Sequence, residues 1–310
     1  MKRTQSGSAL LLAMLILTLV ASLAAGMVWQ QYRAIQVEAA ERARTQAAWI
    51  LLGALDWARL ILREDARSSA NLDHLGEPWA VPLAEARLSS FLAADRDNTV
   101  FADDEGLQAF LSGQISDAQA RFNLRHLVDD EGKLAPTQVA ALQRLCDAAG
   151  APSEAAARLA EGLRAAWAGE AGALLAPDDV SELQRFGLDA GAIERLRGWI
   201  ILLPQRTPLN LNTAPREVIA AAVDDLDLSS AERIVSTRAR TPFKSLAEVQ
   251  VLLPAVQLDP NRVGVASRYF EVQGRLRLEN RVLEERSLVE RRQLDMIALT
   301  RQRVNRLALP

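Results

Sequence analysis

The longest hydrophobic run of the chain lies near its beginning, from Ala9 to about Trp29, and no charged residue occurs between Arg3 and Arg33. A helix of that length rises roughly 30 Å, at about 1.5 Å per residue, which matches the hydrocarbon thickness of a bilayer. The pattern therefore predicts one membrane-spanning helix at about residues 9–29. Lys2 and Arg3 precede the run, so the positive-inside rule predicts a cytoplasmic N-terminus and export of everything after Arg33.

Helical periodicity continues beyond the hydrophobic run. Apolar residues recur at spacings of three and four and therefore share one face of a helix. They are Ala47, Ile50, Leu51, Ala54, Leu55, Ala58, Ile61 and Leu62. We predict one long helix over residues 8–66, and two helices with a bend near Gly26 or Gly53 are the alternative.

The pattern changes after residue 66. Pro78 and Pro82 interrupt helicity, and the segment GQISDAQARFNL then alternates as strands do, with a turn at Asp117. Alanine-rich segments with polar or proline starts predict four short helices over residues 127–205. Alternation returns at residues 270–278, where Gly274 suggests a turn or bulge. The segment VLEERSLVERR fits a helix or a strand.

Charge and reactive residues exclude several function classes. The formal net charge of the 310 residues is -3, with 16 basic and 26 acidic residues in 34–205 and 17 basic and 13 acidic residues in 206–310. Neither part is basic enough to predict nucleic acid as the main partner. Cys146 is the only cysteine, which we expect to be a small buried hydrophobe, and His74 and His126 fit no metal-ligand spacing. No catalytic motif is present, so we predict that the protein is not an enzyme.

The polar leader MKRTQSG ends in Gly7 where the hydrophobic run begins. A cleaved secretory signal would have a shorter apolar run, although Ala21, Ala24 and Ala25 offer small residues for cleavage. A plain signal anchor would not need a glycine at that position. The leader resembles the prepilin signal of type IV pilins and type II secretion pseudopilins.

The resemblance implies specific processing. A prepilin peptidase would cut between Gly7 and Ser8, and Ser8 would become the methylated N-terminus. Most family members carry glutamate at the fifth mature position, where this chain has Leu12. A lone carboxylate in hydrocarbon is costly, so a subunit with no neighbour beyond it favours an apolar residue. This departure resembles the minor pseudopilin K family, whose members cap the tip.

Residues 207–254, from TPLNLNTAPREV to VQVLLP, carry the most specific internal motif. The motif is similar to the helix-hairpin-helix module of DNA-uptake proteins and to the SAM-like insertion of K-type pseudopilins. We expect Asn212 or Thr213 to cap its first helix, Ser229 or Ser230 its second, and Ser245 its third. A DNA-binding hairpin presents glycine-flanked backbone amides to phosphate.

Here the hairpin lacks glycine and contains three carboxylates, Asp224, Asp225 and Asp227. Residues 205–265 also balance at seven basic and seven acidic residues, which leaves no electrostatic footprint for a polyanion. We therefore expect no nucleic-acid partner. A membrane-anchored DNA-binding protein of the competence type is the alternative function.

The resemblance, supported by the RFNL segment at residues 121–124, implies an α+β fold. A pilin-like long N-terminal helix would pack on a small antiparallel sheet that carries a large all-α insertion. The implied parts are a leader (1–7), the helix (8–66), a pilin-like domain (67–126 and 266–310) and the insertion (127–265). Within the insertion, residues 127–205 would form a helical bundle and 206–265 the SAM-like module.

The implied function is that of a minor pseudopilin in type II protein secretion. It would form the tip of the pseudopilus and help initiate assembly, for export of folded proteins across the outer membrane. Its partners would be minor pseudopilins of the I and J types, the prepilin peptidase and inner-membrane lipid. The chain would cross the bacterial inner membrane once, with its globular part in the periplasm.

K-type pseudopilins bind calcium in the globular part, and the comparable segment of this chain is WAGEAGALLAPDDVSEL. Glu170, Asp178 and Asp179 are its candidate oxygen ligands, although Pro177-Asp178-Asp179 also fits the start of a helix. The charged run of residues 103–105 suggests a solvated loop or a second calcium site. We predict no required cofactor, with calcium as the open alternative.

Overall fold

A computed structural model describes residues 6–68, 71–88, 109–278 and 281–307. The chain forms two compact units, one ending at Gly53 and one beginning at Ala54. The helices are α1 (Ser6–Ser68), α2 (Pro136–Ala148), α3 (Ala155–Ala168), α4 (Ala190–Leu196), α5 (Arg216–Ala222), α6 (Leu228–Arg238) and α7 (Leu246–Leu252). The strands are β1 (Leu83–Arg87), β2 (Ala109–Asp117), β3 (Phe122–Asn123), β4 (Ile200–Ile201), β5 (Leu209–Asn210), β6 (Val263–Gly264), β7 (Tyr269–Leu278), β8 (Arg281–Arg292) and β9 (Asp295–Leu307).

Helix α1 is a single α-helix of 63 residues. The predicted continuous helix is confirmed, and the alternative with two separate helices is wrong. Neither Gly26 nor Gly53 interrupts α1, because glycine weakens a helix by only about 1 kcal/mol when its neighbours are strong helix formers.

The main sheet has five antiparallel strands in the order β1-β2-β7-β8-β9. The ambiguous segment VLEERSLVERR is strand β8, as the family resemblance implies. The turn or bulge expected at Gly274 is wrong, because β7 continues through it. Gly274 pairs there with Gly113 of β2, and a Cβ on Gly113 would lie 2.9 Å from the backbone oxygen of Gln273.

One face of this sheet packs on the last four turns of α1. Leu55, Ala58 and Leu62 of the helix meet Phe270 and other apolar side chains of the strands. The ring of Trp79 adds an edge-on contact to Phe270, with centroids 5.3 Å apart. Leu62 is fully buried, which fits the 3- and 4-residue periodicity of its sequence.

The helices α2 to α7 lie in the chain between β2 and β7 and share a hydrophobic core of their own. Cys146 is buried in that core, as predicted, and burial raises the pKa of its thiol to about 11. Two short parallel pairs close the two halves of this helical part: β3 pairs with β4 around helices α2 to α4, and β5 pairs with β6 around helices α5 to α7. Ile201 and Leu203 then pack on Tyr269, at the start of the central strand β7.

Local structure in the helical part corrects three expectations. The segment PDDVSELQRFG forms a 3-10 helix, Val180–Phe186, and not an α-helix. Helix α6 is capped by Asp227, whose carboxylate accepts from the Ser230 amide, and not by Ser229 or Ser230. Helix α5 follows Pro215 without a side-chain cap. Aspartate and serine are comparable helix caps, and here the Asp227 carboxylate accepts from the Ser230 amide at 2.7 Å, which places both serines inside the helix.

Candidate assembly site

The surface of α1 is the first candidate for assembly. From residue 8 to residue 39 all side chains are exposed, and the large apolar ones from Leu10 to Trp29 form an uninterrupted surface. The hydroxyls of Thr18 and Ser22 are satisfied within the helix by the carbonyl oxygens of Leu15 and Thr18, at 2.9 and 2.7 Å. By length and composition this helix can cross a membrane.

The predicted processing site lies at the beginning of the same helix. Gly7 is in the first turn of α1, Ser8 follows it, and the first five residues of the leader lie outside the described part. Leu12 is exposed on the helix surface, about one turn further on. The cleavage and the role of Leu12 stay predictions.

A buried polar junction connects the sheet to the helical part. Asp117, at the end of β2, accepts hydrogen bonds on Oδ2 from Asn210 Nδ2 at 2.9 Å, Thr213 Oγ1 at 2.5 Å and Ser267 Oγ at 2.6 Å. Its Oδ1 accepts from the Gln119 amide at 2.7 Å. Burial raises the pKa of Asp117 to about 6, although the hydroxyl donors oppose the shift.

Asp73 continues this junction towards α1. Its carboxylate accepts from the Ser267 amide at 2.7 Å and from Arg291 Nη2 at 2.5 Å. The same guanidinium reaches Asp65 of α1, with Nη1 3.2 Å from Oδ2. These side chains are buried, so each charge depends on its partner for compensation.

The candidate calcium ligands are not brought together. Glu170 pairs with Arg164 at 2.7 Å, and Asp179 caps the 3-10 helix by accepting from the Ser181 amide at 2.8 Å. Asp178 is exposed beside it. Residues 103–105 lie outside the described part of the chain. A Ca²⁺ ion needs six to eight converging oxygens, which the three described candidates do not offer.

Among the described residues, one group of three acidic side chains converges: Asp65, Asp73 and Glu77. Arg291 already supplies positive charge to two of them, and Glu77 accepts from the Trp79 indole at 2.7 Å. His74 lies beside Glu77, and His126 faces the Thr207 carbonyl oxygen at 2.7 Å. The arrangement is that of an internal ion-pair network.

Sequence similarity to a known protein assigns the chain to a family. The type II secretion system protein K of Pseudomonas aeruginosa is 32% identical over 330 aligned residues, which cover 97% of this chain and 90% of that protein. The chain belongs to the type II secretion system protein K family. It is thus a minor pseudopilin of type II secretion.

Other comparisons agree with that assignment. Two family profiles described as type II secretion system (T2SS), protein K match residues 120–205 and 209–272. Protein K of Klebsiella pneumoniae is 30% identical over 80% of this chain and 79% of its own length. A chain from the crystal structure of the GspK-GspI-GspJ complex of enterotoxigenic Escherichia coli superposes with a TM-score of 0.66. It covers 86% of this chain and 98% of its own, at 20% identity, and therefore supports the fold alone.

The geometry of the helix-hairpin-helix-like module fits this protein K assignment and disfavours the DNA-binding alternative. In the turn between α5 and α6, Asp224 pairs with Arg262 and Arg144. Asp225 occupies a left-handed conformation with φ of 58°. The arginines near this turn are thus engaged by Asp224, and the turn lacks the glycine-flanked amide donors that a DNA-binding hairpin offers to phosphate.

Sequence reasoning missed the polar junction of this protein K chain. Asn210 and Asn212 belong to the quoted motif, and the capping preference assigns Asn212 to a helix start, but both are buried. The Asn212 side chain instead exchanges two hydrogen bonds with the backbone of Phe243, at 2.9 and 3.0 Å. The alternation of asparagine with leucine in LNLN is the sequence feature that could have predicted buried asparagines, and buried side-chain amides must find hydrogen-bond partners.

Proposed function

We propose that the protein spans the bacterial inner membrane once, with a cytoplasmic N-terminus and a periplasmic globular part, and forms the tip of the pseudopilus. There it would help to initiate assembly for the export of folded proteins across the outer membrane. This proposal rests on the exposed apolar surface of α1, which includes Leu12 and has no carboxylate at that position. A subunit at the end of a filament has no neighbour above it to pair with a buried charge. The proposal includes no catalytic reaction and no nucleic-acid partner.

The proposal includes processing by the prepilin peptidase between Gly7 and Ser8, with methylation of Ser8. Mass spectrometry of the N-terminus, in cells with and without the peptidase, tests it. The expected mature chain begins at methylated Ser8 only when the peptidase is present. An intact Met1, or a cut after Ala25, would contradict it.

The tip position is tested by Leu12→Glu, with Leu12→Met as the matched control. An unpaired acidic side chain costs about 2.5–3.5 kcal/mol at the centre of a membrane helix and less towards the helix ends, so at position 12, near the start of the apolar run, we expect a loss of the assembled state of up to about a hundredfold. We expect the glutamate variant to lose secretion and the methionine variant to keep it. Equal secretion by both variants would show that position 12 has a carboxylate-pairing neighbour.

We propose minor pseudopilins of the I and J types as partners, because the structural relative was crystallised as a GspK-GspI-GspJ complex. Contacts would involve α1 and the globular part, with inner-membrane lipid around the helix. Purification of the full chain from membranes should recover both partners. Salt-dependent DNA binding by the purified chain, without either partner, would favour the competence-type alternative.

We also propose the domain limits of the family resemblance for this chain. Residues 67–126 and 266–310 would form the pilin-like domain, and 127–265 the insertion, with the SAM-like module at 206–265. The order of β2, the helices α2 to α7, and β7 supports these limits.

A further inference from the structure

A cleft of about 270 Å³ opens between the helical insertion and the sheet. Its insertion wall includes Trp167 and Val180, and its sheet wall includes Leu288 of β8 and Thr300 of β9. Its volume is just below the range of small-ligand sites, about 300–1,000 Å³, so it can hold one or two side chains of a bound segment. Neither membrane anchoring nor the proposed tip position uses it.

Two arginines in this cleft have unused hydrogen-bonding capacity. Arg125 stacks on the ring of Trp167, with the guanidinium carbon 4.3 Å from the ring centroid, and forms no ion pair within the described part of the chain. Its pKa is lowered because burial is not compensated by a carboxylate.

Arg197 provides the second observation. Its terminal nitrogen Nη2 pairs with Glu194 at 2.9 Å, but its Nε is buried and has no partner. No other buried side-chain nitrogen or oxygen lacks a partner among the described residues. A buried donor without an acceptor costs free energy, so such an atom calls for an explanation.

The acidic side chains of the cleft do not accept hydrogen bonds from Arg125 or from Arg197 Nε, because they are engaged elsewhere or lie at the rim of the cleft. Glu271 pairs with Arg121 at 2.7 Å and with Arg286 at 3.0 Å. Against the effect of burial, the pKa of Asp179 is lowered by hydrogen bonds from Ser181 and by the charges of Arg197 and Arg286, but Asp179 does not accept from Arg197 Nε. Asp178 is exposed to solvent. The cleft is lined by four arginines and three acidic residues, which leaves a formal charge of plus one for a ligand to neutralise.

An apolar rim adjoins this cationic cleft. Leu174 and Leu175 are 45% and 79% exposed in the segment that joins α3 to the 3-10 helix, and that segment reaches the cleft through Pro177. Exposed apolar side chains lie here beside Arg125, which has no ion pair among the described residues, and beside the unsatisfied Nε of Arg197, so they match a ligand that carries both apolar and anionic groups.

We propose that this cleft binds an acidic side chain from a partner protein segment in which aspartate or glutamate alternates with leucine-like residues. The carboxylate would accept from the Arg125 and Arg197 guanidiniums, and the flanking apolar side chains would cover Leu174 and Leu175. Charge-assisted hydrogen bonds of this kind are about twice as strong as neutral ones. The inference does not depend on the tip position proposed above.

The test uses the full chain in detergent micelles and two synthetic peptides, acetyl-Leu-Glu-Leu-Glu-Leu-amide and its glutamine counterpart. We expect calorimetry to detect binding of the glutamate peptide and an affinity for the glutamine peptide that is at least about tenfold lower. Arg125→Gln and Arg197→Gln should each weaken the glutamate peptide about tenfold, while Arg275→Gln, an exposed arginine outside the cleft, should change nothing.

Leu175→Ser changes only a surface side chain, so it should weaken binding of the glutamate peptide without altering the thermal midpoint of unfolding. This variant keeps the proposal testable if an arginine variant fails to fold. Equal binding of both peptides, binding unaffected by the cleft variants, or no binding at all would overturn the proposal. Complete displacement of the peptide by inorganic phosphate, with no loss in Leu175→Ser, would also overturn it and show a simple anion site.

Discussion

The buried carboxylate of Asp117 should give the stability of this protein an unusual pH dependence. Its pKa is raised from 3.8 to about 6, chiefly by burial, so the folded chain holds this proton more tightly than the unfolded chain. The stability that the proton contributes is complete below pH 3.8 and is lost as the pH rises through 6. A shift of about 2 units corresponds to about 3 kcal/mol.

The perturbation is Asp117→Asn, and the measured quantity is the free energy of unfolding of each chain from about pH 4 to about pH 7. Carboxylates with lowered pKa, such as Asp224 and Glu290, act in the opposite direction but are common to both chains. The difference between wild type and variant cancels their contribution. We expect the wild type to lose about 2 kcal/mol of this relative to the variant between pH 4 and pH 7, because the contribution is already incomplete at pH 4.

Denaturant unfolding of the full chain in detergent micelles, followed by tryptophan fluorescence, supplies the free energies. Asp178→Asn, at an exposed aspartate, is the matched control for the loss of one carboxylate. The reasoning about Asp117 is refuted if the difference for Asp117→Asn does not change with pH, or if the wild type gains stability over the variant as the pH rises. NMR titration of the Asp117 carboxyl carbon offers a direct check on the same group.

Three further predictions concern packing and charge in the globular part, each measured as an unfolding free energy. Leu62→Ala should cost about 2–5 kcal/mol because it opens a cavity beneath the sheet. Leu60→Ala, on the exposed side of the same helix, should change the free energy of unfolding by no more than about 0.5 kcal/mol. Equal costs would contradict the packing of α1 on the sheet. Arg291→Gln should cost about 3–5 kcal/mol, since it leaves two buried aspartates without their cation. A free energy of unfolding close to that of the wild type would mean that those carboxylates are protonated. Gly113→Ala should cost about 1–3 kcal/mol because its Cβ meets a backbone oxygen, while Gly198→Ala, in open space, should not; parity between them would disprove the close strand approach.

Local patterns are sufficient for the elements that depend on local chemistry. The uncharged run before Arg33 predicts the beginning of α1, and the periodicity of Leu55 and Leu62 predicts the face that packs on the sheet. The strand β8 is ambiguous in sequence because its charged residues suit either element. The pairing with β7 decides the matter, since its register continues without a break from Tyr269 to Leu278.

The polar junction cannot be predicted from local patterns, because its partners are far apart in the chain. Asp117 and Asn210 are 93 positions apart, and Asp73 and Ser267 are 194 positions apart. Asparagine and threonine near a helix start ordinarily suggest caps, and that preference gives the wrong role to Asn212. The demand for partners inside the folded chain overrides the capping preference.

The calcium expectation shows the same dependence on contacts that the sequence does not reveal. Glu170 and Asp179 lie near each other in the sequence, which makes them plausible ligands. In the fold, Arg164 of α3 pairs with the first, and a backbone amide donates to the second. A short acidic segment therefore says little about metal binding until the partners of each carboxylate are known.

The segment between β2 and α2 explains why the helical insertion and the sheet belong to one compact unit. Residues 206–208 separate the two parts of the chain that match the protein K family, and residues 205 and 208 are hydrogen-bonded to this segment. Asn123 donates to the Gln205 carbonyl oxygen at 2.8 Å, and Gln119 donates to the Pro208 carbonyl oxygen at 2.8 Å. Gln119 also accepts from the Arg268 amide at the start of β7, at 2.6 Å. Because Gln119 bonds both to Pro208, in the middle of the helical part, and to Arg268, directly before β7, part-buried hydrogen bonds connect the helical part to the central strand of the sheet.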